Sequence, residues 1–167
     1  MSGKYKVWFI GAGILLLGAY GLAHEMKEQA EAKPAQAPSA KLNAAVSEIG
    51  VDYKARVEPI FKASCFDCHS NATHYPWYYR LPVVKSMIDG DIKGARKHMD
   101  MSEGYPFLGQ GTPEKDLQNI LDILDDGSMP PIEYRAFHWG SGLSKSQKET
   151  VRDWTKKGQE KLKEASK

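Results

Sequence analysis

Residues Ser64 to Ser70 read SCFDCHS and contain the only two cysteines of the chain. Two intervening residues put both thiols on one side of a single helical turn, and His69 follows directly. That spacing suits two thioether bonds to the vinyl groups on one edge of a haem, with the imidazole turned to the iron, so the pattern reads as c-type haem attachment through Cys65, Cys68 and His69. Other uses of the two thiols fit less well. A Cys65–Cys68 disulfide would close a loop too short to restrain much chain. A thioredoxin-like redox pair belongs beside a βαβ pattern, and the sequence shows none. A zinc site borrowing His74, His98 or His138 matches no familiar finger spacing.

A haem iron held by His69 on one side takes its sixth ligand from elsewhere. The sequence offers Met129, His98, His138, His74, Met99 and Met101. Met129 leads, because it lies in GSMPPIEY, where adjacent prolines stiffen the backbone and deliver a thioether at little ordering cost. His98 is the main rival. His138, beside Trp139, is read as bonding to backbone or to a haem propionate, and His74 stands too near His69 to reach the opposite face easily. Arg80 and Arg135 are candidate propionate partners. Tyr75, Trp77, Tyr78 and Tyr79 are expected to wall the haem crevice.

These residues need elements to position them. Val57, Ile60 and Phe61 recur at helical spacing ahead of Cys65, which predicts a short amphipathic helix leading into the motif. A second helix is predicted over 83–99, weakened by Gly90 and Gly94. Thr112 and Pro113 open a third as N-cap and first-turn proline, Leu117, Ile120, Leu121 and Leu124 form its buried stripe, and Gly127 ends it. The stretch SMPPIEYRAFHWGSG is expected to be extended loop. Ser144 to Gln147 form a capping box that starts a terminal helix with Val151 and Trp154 turned inward. No alternating strand pattern of useful length is present, so the fold class is all-α.

The ends of the chain read differently. Lys4 and Lys6 precede an uncharged run from Val7 to Ala23, the order of an export signal or a membrane anchor. The expectation is a transmembrane anchor or signal segment over 1–23, a polar linker over 24–48, and a c-type haem domain over 49–167. That arrangement implies a bacterial inner-membrane, single-pass protein with its haem domain in the periplasm, or a periplasmic protein if the segment is cleaved. The 167 residues carry a net charge of +2 with basic and acidic residues intermixed, which excludes a nucleic-acid-binding footprint.

The runs CFDCHSNATHYPWYYRLPVVKSMIDGDIKGARKHMDMSE and LDDGSMPPIEYRAFHWGSGLSKSQKETVRDW resemble the bacterial haem-binding-domain family of monohaem c-type cytochromes. The likeness covers roughly residues 55–155, and the order of motif helix, middle helices, Met loop and terminal helix is similar to class I cytochromes c. The resemblance implies one covalently attached haem c with its iron, Cys65 and Cys68 as attachment points, His69 as proximal ligand and Met129 as distal ligand. It leaves His98 and His138 in play, since the family pattern also has histidines there. Departures are local: Gly94-Ala95-Arg96 replaces a bare Gly-Arg, and Met101 stands where the family tends to have Phe.

The function expected is one-electron transfer to redox protein partners, membrane-bound ones foremost, with the N-terminal helix in the membrane. The chain would be an electron carrier and not an enzyme, acting alone or as a subunit of a larger redox complex. A haem-based gas or redox sensor with a displaceable distal ligand is the alternative. A peroxidase-like activity ranks lowest, because a dihaem peroxidase needs a second CxxCH and the chain has one.

Overall fold

Leu42, Ala45, Val46 and Ile49 recur at intervals of three and four, and this stripe makes a helix of residues expected to be linker. In the computed structural model, which describes residues 39–167, Ser39 caps helix α1 (Ala40–Asp52) by accepting from the Leu42 N–H. The helix thus begins well before the expected domain start at Ile49. Alanine-rich polar sequence has high intrinsic helicity, and a single apolar stripe suffices to dock it. The chain continues through a π-helical turn, Tyr53–Val57, into α2 (Glu58–Ser64) and the one-turn α3 (Phe66–His69). The wide turn sets Tyr53 and Val57 fully into the core.

A short 3-10 turn, Trp77–Arg80, leads into α4 (Pro82–His98). Two-residue strands β1 (Met99–Asp100) and β2 (Leu108–Gly109) then pair antiparallel, with Met99 opposite Gly109 and Asp100 opposite Leu108. Gly109 has φ +124, and a Cβ there would lie 2.8 Å from the His98 carbonyl oxygen. Only glycine lets β2 come this close to the end of α4.

Helix α5 (Pro113–Asp126) starts and stops where its sequence predicts. Thr112 accepts from the Lys115 N–H, and Gly127 closes the helix in the left-handed region at φ 67. Helix α6 (Ile132–Phe137) occupies part of the expected loop. Two prolines bar a helix across themselves, yet Pro131 stands at the N-cap with extended backbone, so the residues after it are free to coil. Helix α7 (Lys145–Ala165) carries the complete Ser144/Gln147 capping box. The described part of the chain is mostly helical, as the all-α expectation requires.

The core lies where α1, α5 and α7 meet the residues leading to the motif. Trp154 is its centre. Its ring lies 5.5 Å from Tyr53, 5.5 Å from Tyr105 and 6.5 Å from Phe61, and its indole N–H donates to the Ile49 carbonyl at 3.2 Å. Phe107 completes the cluster at 5.3 Å from Tyr53. Most of these contacts are edge-to-face, with Tyr53 tilted on Trp154 at 49°, and such pairs add to the burial of large aromatic area.

The expected single-pass inner-membrane placement is corrected here. Among the described residues no helix is long and apolar enough to cross a membrane. The longest, α7, has one buried stripe of Val151, Trp154, Thr155, Gly158 and Leu162 and is charged elsewhere, which marks a helix lying on a protein core. The run from Val7 to Ala23 lies outside the described residues.

Candidate haem site

Helix α2 ends at Ser64, and Cys65 breaks the direction of the chain before α3. The Cys68 and His69 N–H groups both donate to the Cys65 carbonyl, at 3.2 and 2.9 Å. The motif is therefore one tight turn, with both thiols free and half-buried. Burial, with the neighbouring Cys68 adding to it, pushes the Cys65 thiol up to about 12. Burial followed by the charges of Asp67 and Asp91 raises Cys68 as well. Both groups stay protonated at neutral pH, unlike the low-pKa thiolate of a disulfide-exchange pair.

His69 is held by a strap from residues 99–102. Its Nδ1–H donates to the Met99 carbonyl at 2.8 Å, and its own carbonyl accepts from the Met101 N–H at 2.6 Å. Next along, the Asn71 N–H donates to Ser102 Oγ at 2.9 Å, and Ser102 is fixed in turn by Asp100. Arg96 anchors Asp100 through Nε at 2.8 Å. With Nδ1 committed as a donor, Nε2 carries the free lone pair, the tautomer a metal-bound histidine uses. Burial lowers the ring below the ordinary imidazole range, against the opposing effects of the Met99 carbonyl and Asp100. The neutral form is thus favoured. Sequence reasoning missed the strap, since MDMS following a helix carries no pattern that points to His69.

The same strap bears on three candidate ligands. Met99 and Met101 have side chains buried in the core while their backbones grip His69. His98 ends α4, exposed, immediately before the Met99 carbonyl.

Met129 follows the Gly127 cap and is 45% exposed. The Met129–Pro130 peptide is cis. Beyond it, α6 is tied to the motif by Tyr134, whose hydroxyl donates to Asp67 Oδ2 at 2.7 Å. His138 closes the helix, with Nδ1 donating to the Tyr134 carbonyl at 3.0 Å and its ring stacked on Tyr134 at 3.9 Å. Phe137 packs on Tyr78 at 5.7 Å, which joins this segment to the aromatic stretch after the motif. Asp67 also accepts from the His74 backbone N–H at 3.0 Å and from His74 Nδ1 at 3.2 Å. Burial pushes the Asp67 carboxyl up, but these hydrogen bonds outweigh it and hold the group below the usual carboxylate range. Asp67 lies between the two cysteines and was not singled out in the sequence, because its partners are remote along the chain. The structure thus brings Cys65, Cys68 and His69 together in one turn and links the Met129–His138 segment to it. It leaves His74 on the surface.

These features can be tested against a haem. The donors are an imidazole with Nε2 free and two unpaired thiols on one turn. In the segments after the motif and after Met129, large apolar groups stand uncovered: Trp77 at 82% and Trp139 at 93% exposed, with Met87, Ile132 and Phe137 also exposed. Of these, Phe137 packs on Tyr78, and exposed aromatic groups of this kind are ones a flat apolar macrocycle can cover. Among the described residues no group of three or more His, Cys, Asp or Glu is placed to hold a metal ion, which tells against the zinc alternative. The sequence model of the haem-binding domain family matches residues 23–157. The chain belongs to the haem-binding domain family. This haem-binding domain is 30% identical over 95 residues to the cytochrome c peroxidase Ccp of Escherichia coli (strain K12), covering 56% of this chain and 20% of that protein. The chain therefore spans about a fifth of the length of the curated relative it matches. No solved structure matches it.

Proposed function

We propose that this haem protein is a one-electron carrier. Cys65 and Cys68 would hold one haem c as thioethers, and His69 through Nε2 and Met129 through its thioether would be the two protein ligands of its iron. The single observation that carries this reading is the His69 Nδ1–Met99 carbonyl bond at 2.8 Å, beside two free thiols in the same turn. It fixes the imidazole in the metal-binding tautomer before any ligand arrives.

When bound, the haem supplies an iron that passes between ferric and ferrous states. The strap from Met99 to Ser102 keeps His69 from turning as charge changes. The Met129 thioether, a weaker donor than imidazole, favours the ferrous form and raises the potential. The aromatic residues of 75–79 and 137–139 would shield a bound haem from water, and Arg80 and Arg135 would be the partners for its propionates. The order of motif helix, middle helices, Met loop and terminal helix supports a class I cytochrome c-like arrangement. Partners in this reading are other redox proteins.

The test is mass and spectrum. Purified from a host that matures c-type cytochromes, the denatured chain is expected to keep its pigment and weigh one haem more than the polypeptide. The oxidised protein is expected to show the sulfur-to-iron charge-transfer band near the red end, and M129A to lose it. A bare-chain mass would overturn covalent attachment, and a band unchanged in M129A would remove Met129 from the iron.

The likeness to a cytochrome c peroxidase favours a second reading, in which the domain takes part in reducing peroxide. Turnover of hydrogen peroxide by the purified holoprotein with a reduced donor would support it. Absence of turnover together with a six-coordinate iron would leave the electron carrier.

A further inference from the structure

Between Pro130 and Ser141, both buried, the chain is exposed except at Tyr134 and His138, which are half-buried. Helix α6 has six residues and too little apolar burial to hold a fixed position by packing alone. Its tie to the motif is the Tyr134 hydroxyl on Asp67, which spans 67 positions of sequence. The acceptor is an ionised carboxylate, so the bond belongs to the strong, charge-assisted class. Asp67 is itself fixed, because it sits within α3 between the cysteines and also accepts twice from His74. His138 follows Tyr134 rigidly, through its Nδ1 bond to the Tyr134 carbonyl and the stacked rings.

We propose that Asp67 and Tyr134 form a positioning latch that holds the 129–138 segment over the open side of the iron and so keeps the haem six-coordinate. The inference rests on the reading of His69 as proximal ligand and of this segment as the distal one. Neither residue touches the iron. Tyr134 sets where the segment lies, and Asp67, placed by the attachment motif itself, ties that position to the haem edge. A residue between the two cysteines thereby governs whether the iron has a free site.

The experiment uses full-length holoprotein in six forms: wild type, Y134F, D67N, S144A, H138A and M129A. Phenylalanine keeps the ring that stacks on His138 and removes only the donor. Asparagine keeps an acceptor oxygen without the charge. S144A weakens α7 far from the motif and controls for lost stability alone. The readouts are the ferric spectrum and carbon monoxide binding to the ferrous protein at neutral pH.

Wild type and S144A are expected to bind carbon monoxide slowly or not at all. Y134F is expected to raise the population with the distal ligand off by about 10- to 100-fold, the scale for losing a hydrogen bond to a charged group, and to bind the gas correspondingly faster. D67N is expected to fall between. Equal binding by wild type, Y134F and D67N overturns the latch. If wild type alone already binds carbon monoxide freely, the distal-ligand reading fails at its base and the latch with it. If H138A opens the iron and M129A does not, Met129 is the wrong ligand, while opening by Y134F still sustains the latch.

Discussion

Asp116 is a carboxyl group placed where ionisation costs stability, and replacing it measures that cost. The side chain is 2% exposed, and Oδ1 has no hydrogen-bond partner. The Gly111 backbone presses against it so closely that a Cβ there would fall 1.8 Å from Oδ1. Burial raises the carboxyl from 3.8 to about 6, against a smaller opposing effect of Lys115. In the unfolded chain the group titrates near 3.8, so between these values the folded protein holds the proton more tightly. Stability therefore falls as pH rises through this window, and the full cost is present above about pH 7. The rise corresponds to roughly 3 kcal/mol withheld from the fold when the group is ionised.

Asp116→Asn removes that cost but also removes a negative charge from the first turn of α5, about 0.3–1 kcal/mol, and adds an amide donor lacking a partner, about 1 kcal/mol. The net expectation at about pH 8 is a gain of roughly 1–2 kcal/mol. At about pH 4, where wild type is protonated, the gain disappears or reverses. Urea unfolding of the two holoproteins, followed by far-ultraviolet circular dichroism across this pH range, measures it. A stability difference that stays constant from about pH 4 to pH 8 would refute the assignment of Asp116 as a buried, unpaired carboxyl.

Two glycines in helices separate propensity from packing. Gly90 of α4 has nothing within 4 Å of a Cβ position, so G90A is expected to stabilise by about 0.5–1 kcal/mol in urea unfolding. Gly158 of α7 would place a Cβ 2.9 Å from Leu117 Cδ1, in a side chain with no room to move. G158A is therefore expected to lose about 1 kcal/mol net, overpacking outweighing helicity, and a gain equal to that of G90A would contradict the tight α5–α7 contact. S144A removes the acceptor for the Gln147 N–H and is expected to cost about 1 kcal/mol. Its spectrum is expected to stay that of wild type, and a changed iron spectrum would mean that α7 reaches the haem site.

Much was legible in the sequence because it depends on residues within a turn or two of each other. The spacing of Cys65, Cys68 and His69, the Thr112 and Ser144 caps, the Gly127 stop and the stripe of α5 are all local chemistry, and each element stands where that chemistry puts it. Where the structure departs from expectation the reason is again local: the apolar stripe after Ser39 is sparse yet enough to dock α1 in place of a linker, and Pro131 bars helix only up to itself, leaving the residues behind it to form α6.

The sequence alone determined a helical haem-binding chain and the three residues from which attachment is argued. Tertiary structure decided how those residues are held. The bond that selects the His69 tautomer comes from Met99, 30 positions away, and the bond that ties the segment after Met129 to the motif comes from Tyr134, 67 positions from Asp67. Neither partner carries a local signature, because a backbone carbonyl is present at every residue and a lone tyrosine has no periodicity. Met99 reaches His69 because its side chain, with that of Met101, is buried in the core around Trp154, and Tyr134 reaches Asp67 across the surface from the segment that follows α5.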